Sequence, residues 1–264
     1  MIRPVLAVVL NTYREVVRNK ILYAILFYTV LLVLTGHFFA DVSLNQERRI
    51  IFDIGVGLIS LFSVALCIFA GTSVIYKEIE KKTIFLIVPR SISRGQFLLG
   101  KWGGLFLAMT VVVTAMFLIL LVQVKMLKIP LDVALFKGVL LVYFEVALLI
   151  ALALFLSSFT SPAITAMLTI GFFVIGRLLP DLKQILFTKY QADGFRTVAE
   201  ELLNVFPHFY LYVPNGHDFN GHTLSLTTDF VTWSYVGWAF LYTILMCSLI
   251  LIVAAGVFRR RDLA

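Results

Sequence analysis

Charge is scarce in this chain of 264 residues: Asp, Glu, Lys and Arg make up 14% of it, against about 25% in an ordinary soluble domain. That is too little to coat a globular surface or to keep a disordered chain extended, so both classes are excluded. Cysteine is scarcer still. Cys67 and Cys247 each sit inside an uncharged apolar run, where a thiol acts as a small hydrophobe rather than as a disulfide partner or metal ligand. Seven prolines and 16 glycines without a period exclude a collagenous chain. Before Tyr13, Arg14 and Glu15 the chain offers only about seven apolar residues, too few for the core of a secretory leader.

Apolar residues fill the space that charge leaves. They account for 61% of the chain, and the mean hydropathy is +0.98, which is the composition of an integral membrane protein. The net charge of +7 does not point to nucleic acid, because the cations fall between apolar runs instead of gathering on one face. A bilayer-crossing helix needs about 20 apolar residues, since its backbone must be satisfied within the segment. Six runs qualify: Ile21 to Phe39, Ile54 to Ile75, Trp102 to Val124, Val139 to Leu156, Pro162 to Leu179 and Val231 to Phe258. A barrel would alternate apolar and polar residues, and these runs are apolar on every face. The expected fold class is therefore all-α, a single permease-sized unit over residues 1–264 with six spans.

Lys and Arg set the expected orientation. With the N-terminus inside, 13 of the 22 cations fall on the cytoplasmic side: Arg3, Arg14, Arg18 and Lys20; Lys77, Lys81, Lys82, Arg90, Arg94 and Lys101; Arg259, Arg260 and Arg261. Both termini are expected in the cytoplasm. Residues 2–20 place Asn11, Arg14, Glu15 and Arg18 at helical spacing opposite Leu6, Val9, Tyr13 and Val16. That pattern reads as a helix lying in the membrane interface on anionic lipid, or as an extension of the first span. Residues 76–101 leave and return on the cytoplasmic side. They hold a short apolar stretch, Ile84 to Val88, then Pro89, then Ser93-Arg94-Gly95-Gln96 with the capping-box spelling of a helix start. This charged elbow reads either as a docking element for a soluble partner or as a solvated loop. Residues 181–229 form an outer loop too long for a plain connector, with turn chemistry and interface-type aromatics at Phe206-Pro207-His208-Phe209-Tyr210.

Several chemical readings are set aside. Gly95 to Lys101 spells a phosphate loop up to its last letter, but Trp102 stands where the magnesium-ligating Ser or Thr belongs. His208, His217, Asp218 and His222 lack a metal-ligand spacing and read as turn residues. Glu145 is the carboxylate well inside a span, and such a group faces protein or water. Both a structural bond to another helix and a transport role are open to it. Arg177, near the end of its span, is expected to snorkel to the outer interface.

The segment KEIEKKTIFLIVPRSISRGQFLLGKW, from Lys77 to Trp102, resembles the cytoplasmic signature of type-2 ABC exporter permeases. The matching positions are Glu78, Glu80, Thr83, Pro89, Ser93, Arg94, Gly100 and Lys101, with Arg90 added as a charged contact. The NTYREVVRNKILY stretch is similar to the family's elbow helix and FRRRDL to its tail. Within the family the layout is similar to stand-alone permeases such as that of the nitrous-oxide-reductase maturation system. The resemblance implies a non-enzymatic, multi-pass subunit of the bacterial cytoplasmic membrane, paired with a second copy or a sister permease. It further implies separate ABC ATP-binding subunits that carry the ATP and magnesium, with residues 76–101 as the coupling elbow. No cofactor, metal or nucleic acid is expected on the chain itself. An extracytoplasmic protein on the outer loop stays open. The rival readings are a stand-alone secondary transporter using Glu145 and a membrane anchor or assembly factor for an outer protein.

Overall fold

Four of the six apolar runs lie wholly within helices of the computed structural model, while Pro162 to Leu179 is broken at Leu178 and Val231 to Phe258 enters its helix at Trp233. The structure describes residues 2–17, 21–42, 47–80, 93–189, 201, 203, 206–212, 215–219, 222–225 and 231–260. In chain order the helices are α1 (Ile2–Val17), α2 (Ile21–Val42), α3 (Glu47–Glu80), α4 (Arg94–Met126), α5 (Val133–Ser157), α6 (Pro162–Arg177), α7 (Leu179–Lys189) and α8 (Trp233–Arg260). A 3₁₀ turn, Phe209–Tyr212, and a hairpin of β1 (Asn215–Phe219) and β2 (His222–Ser225) precede α8. The hairpin is antiparallel, with Phe219 paired to His222 and Asn215 to Ser225. It departs from the wholly helical expectation, but only outside the helical body.

Among the described residues four stretches are long and apolar enough to cross a membrane: Ile50–Thr72, Gly95–Met126, Val133–Ser157 and Trp233–Val257. The pair Pro162–Arg177 and Leu179–Ile185, bent by 64°, makes a fifth when taken as one span. Within α2 the stretch Ile25–Thr35 is a shorter apolar helix.

Caps explain several boundaries. Ser93 accepts from the Gln96 amide at 3.3 Å while the Gln96 side chain accepts from the Ser93 amide at 3.1 Å, the reciprocal pair read from the sequence. The helix start read at Ser93 to Gln96 is where α4 begins, and the apolar run from Trp102 follows within the same helix. At the other end Lys128 has φ 55°, with the Ile129 amide bonded back to the Val124 carbonyl and the Lys128 amide to that of Lys125, a Schellman closure. Asp132 caps α5 and Pro162 opens α6.

Helix α5 is the centre: 78% of its apolar window is buried, against 22% for α8. Lipid tails are as apolar as leucine, so close backbone approach and interhelical hydrogen bonds hold such a bundle. A Cβ on Gly71 would stand 2.9 Å from that of Ala153, and one on Gly55 would strike Leu120, so α3 lies tightly on α5 and α4. The Trp102 indole donates to the Ala147 carbonyl at 3.1 Å, Thr114 and Tyr143 share a 2.7 Å bond, and Gln123 donates to the Leu32 carbonyl at 2.8 Å. These tie α4 to α5 and α2. Each such bond contributes about 1 kcal/mol in membranes.

Helix α1 packs on the start of α4. Gly100 abuts Val8 and the Val5 carbonyl, Gly103 meets Val9, and Gly104 is pressed against Thr12 and the Val9 carbonyl. Its outer side leaves Leu6, Leu10 and Val17 exposed. A helix with one apolar face on protein and another unburied suits the membrane interface.

Candidate functional site: a buried ion pair beneath an aromatic insert

Glu145 lies midway along α5 and is fully buried. Its neighbours come from two other helices. Ser60 of α3 donates its hydroxyl to Oε2 at 2.7 Å, and Arg177 of α6 donates from Nη1 to Oε1 at 2.9 Å. The same Arg177 nitrogen stands 3.3 Å from Ser60 Oγ, closing a triangle. The guanidinium also lies 5.5 Å from the centre of the Phe173 ring. Arg177 is 27% exposed and Glu145 not at all. The expectation that Arg177 snorkels to the outer interface is thus corrected. Compensating a buried carboxylate outweighs the hydration an arginine gains at a surface.

Arg177 is also the last residue of α6, immediately before the bend into α7. Its ion pair therefore pins the break. The signal for this pair was present in the sequence: a membrane acid and a membrane base tend to find one another. Glu145 is 13 residues before Ser158 and Arg177 is 16 after Ser161, so antiparallel neighbours at 1.5 Å per residue bring them within about 5 Å in height.

Above the pair, the segment Phe206 to Tyr212 turns into the bundle. Phe209 and Tyr212 are fully buried, and Pro207 is so close to Gly176 that its carbonyl would clash with any Cβ there. Phe209 stacks edge-on with Phe173, 5.4 Å between centres. Tyr212 shares a 2.7 Å bond with Thr243, Tyr235 donates to the Leu211 carbonyl at 2.7 Å, and Tyr242 accepts from the His208 amide at 2.9 Å. Thus the aromatics expected at the membrane interface are an insert between α5, α6 and α8. Burial, with Lys183 nearby, holds the His208 imidazole below its ordinary 6.5. In the neutral form its Nδ1 can accept from Tyr242, 3.0 Å away.

The elbow residues fall in four groups. Ser93 is the exposed N-cap of α4, with Arg94 beginning the helix. Glu78 and Glu80 lie on the last turns of α3, six and eight residues past Thr72 where its apolar stretch ends, which is about 9 and 12 Å further along the axis. Thr83, Pro89 and Arg90 lie outside the described residues, as do the side chains of Glu78, Glu80 and Arg94. Gly100 and Lys101, in contrast, are buried within the chain, Gly100 under α1 and the Lys101 ammonium 5.7 Å from the Phe97 ring centre. The phosphate-loop spelling Gly95 to Lys101 is helical throughout. Its amides point along the helix and cannot wrap a phosphate. Among the described residues no three metal-ligating side chains gather; His217, Asp218 and His222 fall on the hairpin strands.

A bundle of apolar helices around a compensated charge defines a multi-pass membrane protein. The chain belongs to a family of ABC transporter membrane subunits: the model of the ABC-2 family transporter protein matches residues 6–263. It is accordingly a membrane permease subunit of an ABC transporter. No curated relative matches it.

Proposed function

We propose that this permease couples ATP hydrolysis on separate ATP-binding subunits, which hold the nucleotide and magnesium, to export across a bacterial cytoplasmic membrane. In this reading residues 1–264 form one six-span unit, α2 being the first span, with both termini in the cytoplasm. It works as a homodimer or beside a sister permease. The observation that carries the reading is the junction at Ser93. A reciprocal cap starts α4 directly after the charged elbow, and the helix then runs 33 residues without a break into the centre of the bundle. A displacement at Glu78, Glu80, Thr83, Pro89, Arg90, Ser93 or Arg94 is thereby carried to α5 as rigid-body motion. Gly100 contributes from inside, by seating α1 on the same helix, and Lys101 lies buried beside Phe97 one turn earlier.

The stand-alone transporter rival rests on Glu145, whose charge is compensated by Arg177 within the chain. In the proposed exporter the pair is a fixed point that holds the α6–α7 bend against α5. The outer loop beyond it is available to an extracytoplasmic protein, as the maturation permeases would use it. Mild-detergent purification of the tagged protein from its own membranes, with mass spectrometry and an ATPase assay, tests the reading. Recovery of a stoichiometric ATP-binding subunit is expected. Its absence after crosslinking in cells would sink the exporter reading.

A further inference from the structure

The insert from Phe206 to Tyr212 is held on its two sides by different kinds of contact. Toward α6 it is seated by shape: Phe206 packs on Phe172, Phe209 on Phe173, and the Pro207 carbonyl fills the space that Gly176 leaves. Toward α8 it is gripped by hydroxyl groups, Thr243 on Tyr212, Tyr235 on the Leu211 carbonyl and Tyr242 on His208. Phenols and threonine keep one protonation state between pH 5 and 8, and imidazole does not. His208 is therefore the titratable point in the grip of α8.

The geometry at that point suits one protonation state. Tyr242 Oη accepts the His208 backbone N–H at 2.9 Å and stands 3.0 Å from Nδ1 of the same residue. With a neutral ring the phenol donates its own hydrogen to Nδ1, and every group is satisfied. A proton on Nδ1 makes it a second donor aimed at the same oxygen and deprives the phenol hydrogen of its acceptor. The groups around the ring do not compensate the new charge. Tyr210, on the insert itself, presents a phenol ring at right angles, 5.5 Å between centres. On α7 Lys183 bears on the imidazole with like charge, and Asp181 lies about 200° round that helix from it. On α5 and α6 Glu145 and Arg177 neutralise each other, and Lys137 of α5 is bonded to the Val231 carbonyl.

We infer that His208 is an acid-sensitive latch: protonation of its imidazole frees the Pro207 to Phe209 end of the insert from α8 and opens the bundle between α6 and α8 above the buried ion pair. The latch depends on this chain alone; the side from which the proton arrives, the outer one, rests on the proposed topology. Burial and Lys183 hold the closed ring below its ordinary 6.5. The closed form is therefore complete above that pH and gives way as pH falls toward the closed-state value.

Hydrogen–deuterium exchange of the purified protein in detergent, with both faces at one pH, tests the latch apart from the topology. The amides that report are those of the insert, among them His208 on Tyr242 and Leu211 on the His208 carbonyl. Corrected for the intrinsic effect of pH, their exchange should quicken between pH 7.5 and 5 by up to about thirtyfold, the most that one proton with an open-state value near 6.5 allows. Over the same range α5 should stay protected. His208→Asn, whose side-chain oxygen stands in for Nδ1 and takes no proton, should keep the slow rate at both pH values. Tyr242→Phe should exchange fast already at pH 7.5. An insert as protected at pH 5 as at 7.5, an acid response that His208→Asn retains, or acid opening that spreads through α5 would overturn the inference. Failure to recover an ATP-binding subunit would overturn the exporter reading and leave the latch standing.

Discussion

At the scale of single residues, Glu145 and Arg177 are the most consequential pair, because each is tolerable only through the other. Removing one member of a buried ion pair typically costs about 3–5 kcal/mol, while replacing both by apolar groups of similar size is often close to neutral. Glu145→Leu alone and Arg177→Met alone are therefore expected to lower thermal stability in detergent strongly, and the double variant to recover most of it. Strictly additive losses would mean that the 2.9 Å contact carries no coupling. His208 gives a prediction of the opposite kind, from a group that the fold prefers neutral. Its folded pKa lies below the ordinary 6.5, so in the folding equilibrium the unfolded chain binds the proton more readily. Its contribution is complete above pH 6.5 and fades as pH falls from there toward the folded value. Thermal melts between pH 7.5 and 5 should show that decline, and His208→Asn should flatten it.

At the scale of elements, the contact of α1 with α4 depends on the absence of side chains at Gly100 and Gly104. A Cβ at Gly104 would lie 2.6 Å from Thr12 and 2.7 Å from the Val9 carbonyl, and backbone cannot step aside as a side chain can. Gly104→Val is expected to lift α1 from its seat, making the exposed flank of α1 more accessible to protease while α4 to α6 stay folded. Unchanged cleavage would show that α1 is held otherwise. The pattern that made α1 legible in the sequence was its split into polar and apolar stripes, yet that split did not reveal its seat. Glycines at Gly100, Gly103 and Gly104 are the trace of the seat, and hydropathy counts them as unremarkable. The capping box at Ser93 was readable because it is local: serine and glutamine satisfy each other's backbone three residues apart. The bend after Arg177 and the insertion of Phe209 and Tyr212 were not, because aromatic residues in an outer loop suit a membrane interface and a bundle interior equally. Only the position of Gly176, open to the Pro207 carbonyl, decides between them. The ion pair sits between these cases, legible once Glu145 and Arg177 are measured along antiparallel helices.

At the scale of the whole molecule, the elbow and the ion pair lie at different places along the path from partner to membrane interior, so they should fail differently. Ser93 and Arg94 begin a helix whose far part is locked to α5 through Trp102 and Thr114, whereas Glu145 and Arg177 lock α5 to α6. If force enters at the elbow and passes through α4 and α5, Arg94→Glu breaks the chain at its first link. It is expected to weaken recovery of the ATP-binding subunit at least tenfold, about 1.4 kcal/mol, with membrane insertion unchanged. Glu145→Gln keeps a side chain of the same size that can still accept from Ser60 and Arg177, so association should remain at the wild-type level. What it loses is the charge that anchors the α6–α7 bend. Partner ATPase activity should then persist while its stimulation by transported cargo, or transport itself, declines. Quantitative co-purification and ATPase assays on the two variants in parallel separate the links. Loss of the partner with Glu145→Gln, or its full retention with Arg94→Glu, would show that coupling does not run from the elbow through α4 to the buried pair.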